Sequence, residues 1–167
     1  MIVRIVSGSA EITRGIGTAL GKVAEGPLAF LLVGDYGTGK TTLVQGIAAG
    51  LGVQEVVRSP SYNILKRYDS GRLILVHADL YRTQSDPDIE ELGIMDILSA
   101  KGILAVEWPG RYLPPAKELP CVSVNLSYPA GQKVSGGSLE SRRNLEFCCG
   151  DGCPERVMEV LSALAAR

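Results

Sequence analysis

The chain has 167 residues, 46% of them hydrophobic and 21% charged, which suits one domain of ordinary size with a full core. Seventeen Lys and Arg stand against 18 Asp and Glu, a formal charge of -1, so the composition does not mark a binder of nucleic acid or membrane surfaces. No apolar run approaches the roughly 20 residues of a membrane helix, and the four cysteines of a chain without a secretion-type leader argue against a disulfide framework.

Ile2, Val3, Ile5 and Val6 predict a first strand rather than a signal peptide, which makes a cytoplasmic protein the expectation. Ser9 reads as a helix N-cap, and Ile12, Ile16, Ala19, Leu20 and Val23 recur at helical spacing, so an amphipathic helix is expected from about residue 10 to 24. Gly26-Pro27 ends it. The apolar run Leu28 to Val33 predicts a buried strand. After a glycine-rich turn, a helical pattern runs from Leu43 to Ala49 and stops at Gly50-Leu51-Gly52. Val56 to Tyr62 reads as a loop, and residues 62–68 and 73–78 read as two strands joined like a hairpin through Asp69 to Arg72. A polar stretch from Thr83 to Asp88 feeds a short helix through Glu90, Glu91 and Leu92, with another helical segment from Ile94 to Ser99.

Ile103 to Val106 is a third buried run, ending on Glu107-Trp108-Pro109. The proline-rich segment Leu113 to Pro120 turns the chain. Val122, Val124 and Leu126 alternate with polar residues as in a half-exposed strand, residues 129–138 read as a loop, and Leu139 to Cys148 reads as a partner strand. Pro154 opens a last helix with Val157, Val160, Leu161 and Leu164 on one face. Without repeats or composition shifts, residues 1–167 are expected to form one α/β domain. Its core strands fall at 28–33, 73–76 and 103–106, and an antiparallel β portion comes from the C-terminal third.

The turn between the second predicted strand and helix carries the chemistry. Gly34-Asp35-Tyr36-Gly37-Thr38-Gly39-Lys40-Thr41-Thr42 fits Gly-x4-Gly-Lys-Thr, a phosphate-binding loop, in the strand–loop–helix setting that the motif requires. Its glycines let the backbone N–H groups approach crowded phosphate oxygens, at a helix N-terminus that favours anions. Lys40 can reach the β- and γ-phosphates, and the Thr41 hydroxyl can ligate magnesium. Hydrolysis further needs an acid for the metal and a placed water. Asp79 and Glu107 are the candidates, since each ends a buried strand, where open α/β sheets gather ligands. His77 could act as acid or base or stand as a satisfied strand-end histidine, and Tyr81 and Trp108 can pack the loops. Cys148, Cys149 and Cys153 lack paired metal-ligand spacing and read as semi-buried thiols. Val134 to Ser138 is similar to the signature loop of ABC ATPases, but no apolar run ending in Asp-Glu follows it, so it reads as a turn. The absence of Asn-Lys-x-Asp favours ATP over GTP.

The phosphate loop, Ser59-Pro-Ser-Tyr62, His77-Ala-Asp-Leu-Tyr-Arg82, Glu90-Glu-Leu-Gly93 and Val106-Glu-Trp-Pro109 together resemble, in order and spacing, the TsaE (YjeE) family. The likeness covers residues 9 to 110, with Ser61 in place of a usual threonine and Thr83 in place of a usual leucine. It implies a P-loop NTPase-like three-layer fold with helices on both sheet faces. The implied activity is that of a magnesium-dependent ATPase, slow by itself. It would serve tRNA N6-threonylcarbamoyladenosine formation with the TsaB and TsaD proteins, and tRNA would be held mainly by those partners. By this likeness Gly37, Thr38, Gly39, Lys40, Thr41 and Thr42 hold the phosphates. Thr41 and Glu107 ligate magnesium, and Asp79 supports the metal or the attacking water. Ala10 and Arg143 approach the nucleotide. Two alternatives share the loop: a small-molecule kinase, which needs an arginine-bearing lid, and a nucleotide-dependent interaction module without turnover.

Overall fold

The computed structural model describes residues 1–60, 63–82, 101–110, 119–129 and 142–166. In chain order its elements are β1 (Ile2–Ser7), α1 (Ala10–Val23), β2 (Leu28–Val33), α2 (Lys40–Leu51), β3 (Leu65–Tyr68), β4 (Leu75–Asp79), β5 (Ile103–Glu107), β6 (Cys121–Ser127), β7 (Arg143–Cys149) and α3 (Glu155–Ala165). The strands form one sheet in the order β1-β7-β6-β2-β5-β4-β3. Strands β6, β2, β5 and β4 run parallel. Strand β7 lies antiparallel between β6 and β1, and β3 caps the other edge antiparallel to β4.

The three expected core strands are the centre of this sheet. Every residue of β4 and β5 is buried, and so is every residue of β2 except Val33, the pattern of parallel strands covered on both faces. Alternate side chains sort into two clusters. Leu28, Phe30, Leu32, Ala105, Val124 and Phe147 pack with Leu20, Ile47 and Leu161 of the three described helices. Ala29, Leu31, Val76, Ala78, Leu104 and Val106 form the second cluster on the opposite face. The helical segments expected over Glu90 to Ser99 lie outside the described residues, as does the loop at Val134 to Ser138.

Two strand boundaries differ from the sequence expectation. Strand β3 begins at Leu65 rather than residue 62, because Asn63 donates back to the Pro60 carbonyl and Ile64 sits at φ 60. A branched residue in the left-handed region cannot continue an extended strand. Strand β4 starts at Leu75 and carries on to Asp79, two residues later at the start than the run that begins at Leu73. The C-terminal partner strand is β7, which runs one residue past Cys148, and residues 139–141 lie outside the described set.

Helix α1 begins where the cap predicts. Ser9 is extended, and its side chain accepts the Ile12 N–H at 3.2 Å. The buried hydroxyls of Ser7 and Thr13, 2.7 Å apart, close onto the Ser9 carbonyl and tie the start of α1 to the end of β1. Substituting Ser9→Ala is expected to cost about 1 kcal/mol in urea unfolding and Ser9→Gly only a few tenths, because a glycine cap lets water reach the freed N–H.

Helix α1 meets α2 at backbone distance. A Cβ on Gly17 would stand 2.3 Å from the Leu43 carbonyl oxygen, and one on Gly46 would stand 2.2 Å from that of Arg14. Gly21 and Gly50 repeat the relation one turn on, at 2.2 and 2.3 Å from the Ile47 and Thr18 oxygens. The glycines recur four residues apart on each helix, so one face of each is bare backbone. This contact seats the helix that follows the phosphate loop directly on α1.

Candidate functional site

Strand β2 ends at Val33 and the chain enters the loop. Gly34, Gly37 and Gly39 have φ of 147, 79 and 100. Gly39 is the N-cap of α2 in the left-handed region, where any other residue would be strained. The loop is braced from inside: the Thr38 hydroxyl donates to the Asp35 carbonyl at 2.8 Å and is buried. Lys40 folds back into the loop. Its Nζ donates to the carbonyls of Gly34 and Asp35 at 2.7 and 2.8 Å and stands 3.8 Å from the centre of the Trp108 ring. Burial pushes the Lys40 ammonium below its usual range, against the pull of Glu107, Asp79 and Asp35.

The two acids arrive on neighbouring parallel strands. Asp79 ends β4, Glu107 ends β5, and they are direct partners in register. Both are buried, at 6% and 3% exposure, beside the loop that leaves β2. This is the carboxyl end of the parallel sheet. The Thr41 hydroxyl donates to Glu107 Oε1 at 2.7 Å. His77 Nε2 lies 2.9 Å from the same oxygen, and His77 is fully buried. Asp79 Oδ2 accepts the Ser59 hydroxyl at 2.6 Å, and its Oδ1 accepts the Tyr81 N–H at 3.1 Å. After Glu107 the backbone turns sharply. Trp108 sits at φ 57, its N–H donates to the Leu32 carbonyl, and its ring lies 5.1 Å from that of Tyr81. A non-glycine residue in the left-handed region, next to the buried acid, is held there by the surrounding contacts.

These groups line a cavity of about 310 Å³, formed by the loop and α2 start (Tyr36, Gly37, Gly39, Lys40, Thr41, Thr42) together with Ser59, Asp79, Tyr81, Glu107 and Trp108. The sequence singled out most of this lining. Thr38 instead braces the loop. Ala10 opens α1 and Arg143 opens β7, and neither is among the lining residues. Arg143 pairs in register with Ser7, and its Nε lies 3.5 Å from where a Gly39 Cβ would stand. The Tyr128 hydroxyl donates to the Gly37 carbonyl at 2.8 Å, with its ring 5.8 Å from the Arg143 guanidinium. Sequence reasoning gave no role to Tyr128 or to Ser59. Ser59 stood within a motif of the resemblance, whereas nothing around Tyr128 signals its place.

The donor set fits magnesium. Thr41 and the two acids offer only oxygen atoms, and Glu107 Oε2 carries no hydrogen bond among the described residues. Hard oxygen ligands beside a phosphate loop suit a cation that keeps waters and shares substrate phosphates. The cysteines lie elsewhere, at the start of β6 and around the end of β7. Cys149 and Cys153 are buried and Cys121 and Cys148 half-buried, all four as free thiols. Burial, with Cys149 and Cys121 nearby, pushes the Cys153 thiol up to about 12. Among the described residues no helix is long and apolar enough to cross a membrane.

Comparison with known proteins gives this geometry a family. The family model for threonylcarbamoyl adenosine biosynthesis protein TsaE matches residues 7–134. A tRNA threonylcarbamoyladenosine biosynthesis protein TsaE from Treponema pallidum is 39% identical over 124 residues, which span 74% of this chain and 89% of the relative. The protein of that name from a Nostoc species is 36% identical over 128 residues, covering 75% and 78% of the two chains. The crystal structure of Bacillus subtilis YdiB is similar throughout, with a TM-score of 0.74 and 25% identity over 98% of this chain and 95% of that one. With its phosphate loop, its two strand-end acids and these matches, the chain belongs to the TsaE family of threonylcarbamoyl adenosine biosynthesis proteins.

Proposed function

We propose that this protein is a magnesium-dependent ATPase, one domain over residues 1–167, that serves tRNA threonylcarbamoyladenosine formation together with TsaB and TsaD in the cytoplasm. The observation that carries the reading is the convergence of Lys40, Thr41, Asp79 and Glu107 on one cavity at the end of the parallel sheet. Loop N–H groups from Gly37 to Thr42 bind and orient the phosphates. Lys40, partly desolvated by burial, offsets charge on the β/γ bridge. Thr41 and Glu107 would hold magnesium, which supplies charge neutralisation on the phosphates. Asp79, which accepts the Ser59 hydroxyl and the Tyr81 N–H, would support the metal or orient the attacking water. Ala10 and Arg143 would approach the nucleotide, Arg143 from beside Gly39.

Catalysis of this kind is positioning plus electrostatics, so a subunit lacking a partner's group turns over slowly. The near-neutral charge of -1 supports a division of labour in which partners hold the tRNA. The test is phosphate release from ATP by the purified chain, alone and with the TsaB–TsaD pair. Turnover stimulated by the pair is expected. Lys40→Ala should weaken ATP binding about 10–100-fold through loss of charged hydrogen bonds. Tight ATP binding without turnover in either setting would instead favour the interaction module, and a phosphorylated acceptor would favour the kinase.

A further inference from the structure

The site contains a buried group that this mechanism leaves unused. His77 is 0% exposed and Glu107 3%. His77 is the Cα partner of Ala105, two residues before Glu107 on β5, so the two side chains are diagonal neighbours on one face of the sheet. The ring reaches across that diagonal and places Nε2 2.9 Å from Glu107 Oε1. Its other nitrogen, Nδ1, is buried with no hydrogen-bond partner among the described residues. A proton on Nδ1 would be an orphaned buried donor, a rare and costly arrangement, whereas a proton on Nε2 meets a carboxylate. Oε1 thus receives two donors, the Thr41 hydroxyl and the imidazole, while Oε2 carries no hydrogen bond among the described residues.

We propose that His77 is a positioning residue for Glu107: its Nε2–H clamps Oε1 and leaves Oε2 as the oxygen presented to the metal. Thr41 alone cannot fix the carboxylate, because its own hydroxyl is wanted by the metal and sits on a helix that carries the phosphate loop. The imidazole holds the carboxylate from the fully buried β4 instead, an element outside the phosphate loop and its helix. Second contacts of this kind orient a ligating group, and their loss typically costs about 10–100-fold in metal affinity. The metal-facing role of Oε2 rests on the ATPase reading; the His77–Glu107 bond does not.

His77 is the chain's single histidine, so nitrogen-15 histidine labelling reads it without ambiguity. The expected spectrum has a protonated Nε2 and an unprotonated Nδ1, with the Nε2 signal moving in Glu107→Gln. An Nδ1–H tautomer, which leaves Nε2 without a proton to donate, overturns the proposal. The second measurement is ADP affinity with and without magnesium for wild type, His77→Leu and His77→Gln, each with a thermal melt. His77→Leu should lose about 10–100-fold of the affinity gained from magnesium and leave metal-free ADP binding unchanged. His77→Gln, whose amide nitrogen reaches about as far as Nε2, should keep most of that gain. If His77→Leu retains the full magnesium effect, the positioning role is wrong. Should the leucine variant not fold, the glutamine variant and the wild-type spectrum still decide. A wild type whose ADP affinity ignores magnesium would overturn the metal-facing half and the ATPase reading, while the spectrum alone would decide the His77–Glu107 bond.

Discussion

Glu107→Gln is expected to reduce partner-stimulated ATP turnover about 10²-fold or more, while the protein stays folded and still binds nucleotide. The direction follows from which oxygen is already engaged. Two donors, the Thr41 hydroxyl and His77, converge on Oε1. In the amide they select the oxygen for that position, so the NH2 group takes the place of Oε2 and turns two protons toward the cation. The isostere therefore preserves packing and reverses the polarity where the metal would sit. Glu107→Ala differs in kind. It removes the acceptor of both donors; the half-buried Thr41 hydroxyl can turn to water in the cavity, but the fully buried His77 N–H is orphaned, at a cost of about 1–3 kcal/mol. The alanine variant should lose stability as well as turnover, and the glutamine variant turnover alone. Phosphate release together with urea unfolding separates the two. Glu107→Gln turning over within about threefold of wild type would remove Glu107 from the catalytic centre, since losing one well-placed electrostatic group ordinarily costs far more.

Such an argument needs side-chain geometry, and the sequence carried only part of it. Local signals sufficed for the phosphate loop, because glycine spacing, Lys40 and the flanking apolar run each state their own requirement. The acids were legible for the same reason: a buried run ending in Asp79 or Glu107 places a carboxylate at the carboxyl end of a parallel strand. That they are direct register partners was not legible, because it depends on β5 inserting between β2 and β4, a long-range choice no local pattern encodes. Tyr128 lies 91 residues from the glycine whose carbonyl it binds, and its local sequence carries no trace of that contact. The same distance problem hid the antiparallel insertion of β7 between β6 and β1, although the alternation that makes β6 and β7 strands was plain. His77 was visible as a residue with two readings. Those readings were an acid or base and a satisfied strand-end histidine; what only the structure shows is its partner, Oε1 of the buried Glu107.

The helix glycines were read only as a stop signal near Gly50, yet they set the largest stability effect expected here. In an open helix, Gly→Ala stabilises by roughly 0.5–1 kcal/mol, because alanine loses less backbone entropy. Gly15 on α1 is such a position: a Cβ there meets nothing within 4 Å, so Gly15→Ala should raise stability by about that amount. Gly46→Ala is the same chemical change with the opposite sign. Its Cβ would lie 2.2 Å from the Arg14 carbonyl oxygen and 2.9 Å from the Gly17 Cα, both backbone atoms of α1 that no rotamer change can move aside. The helices must separate, and Leu20, Leu43 and Ile47, all fully buried, lose packing at once. Overpacking of this order costs typically about 1–3 kcal/mol or more, which outweighs the propensity gain. The urea midpoint of Gly46→Ala should fall with little change in slope, while that of Gly15→Ala rises. Because α2 begins at Lys40, a shift of that helix should also weaken ATP binding in Gly46→Ala and leave it untouched in Gly15→Ala. If both substitutions stabilised the protein, the close seating of α2 on α1 would be refuted, and with it the rigid platform that holds the phosphate loop against the two acids.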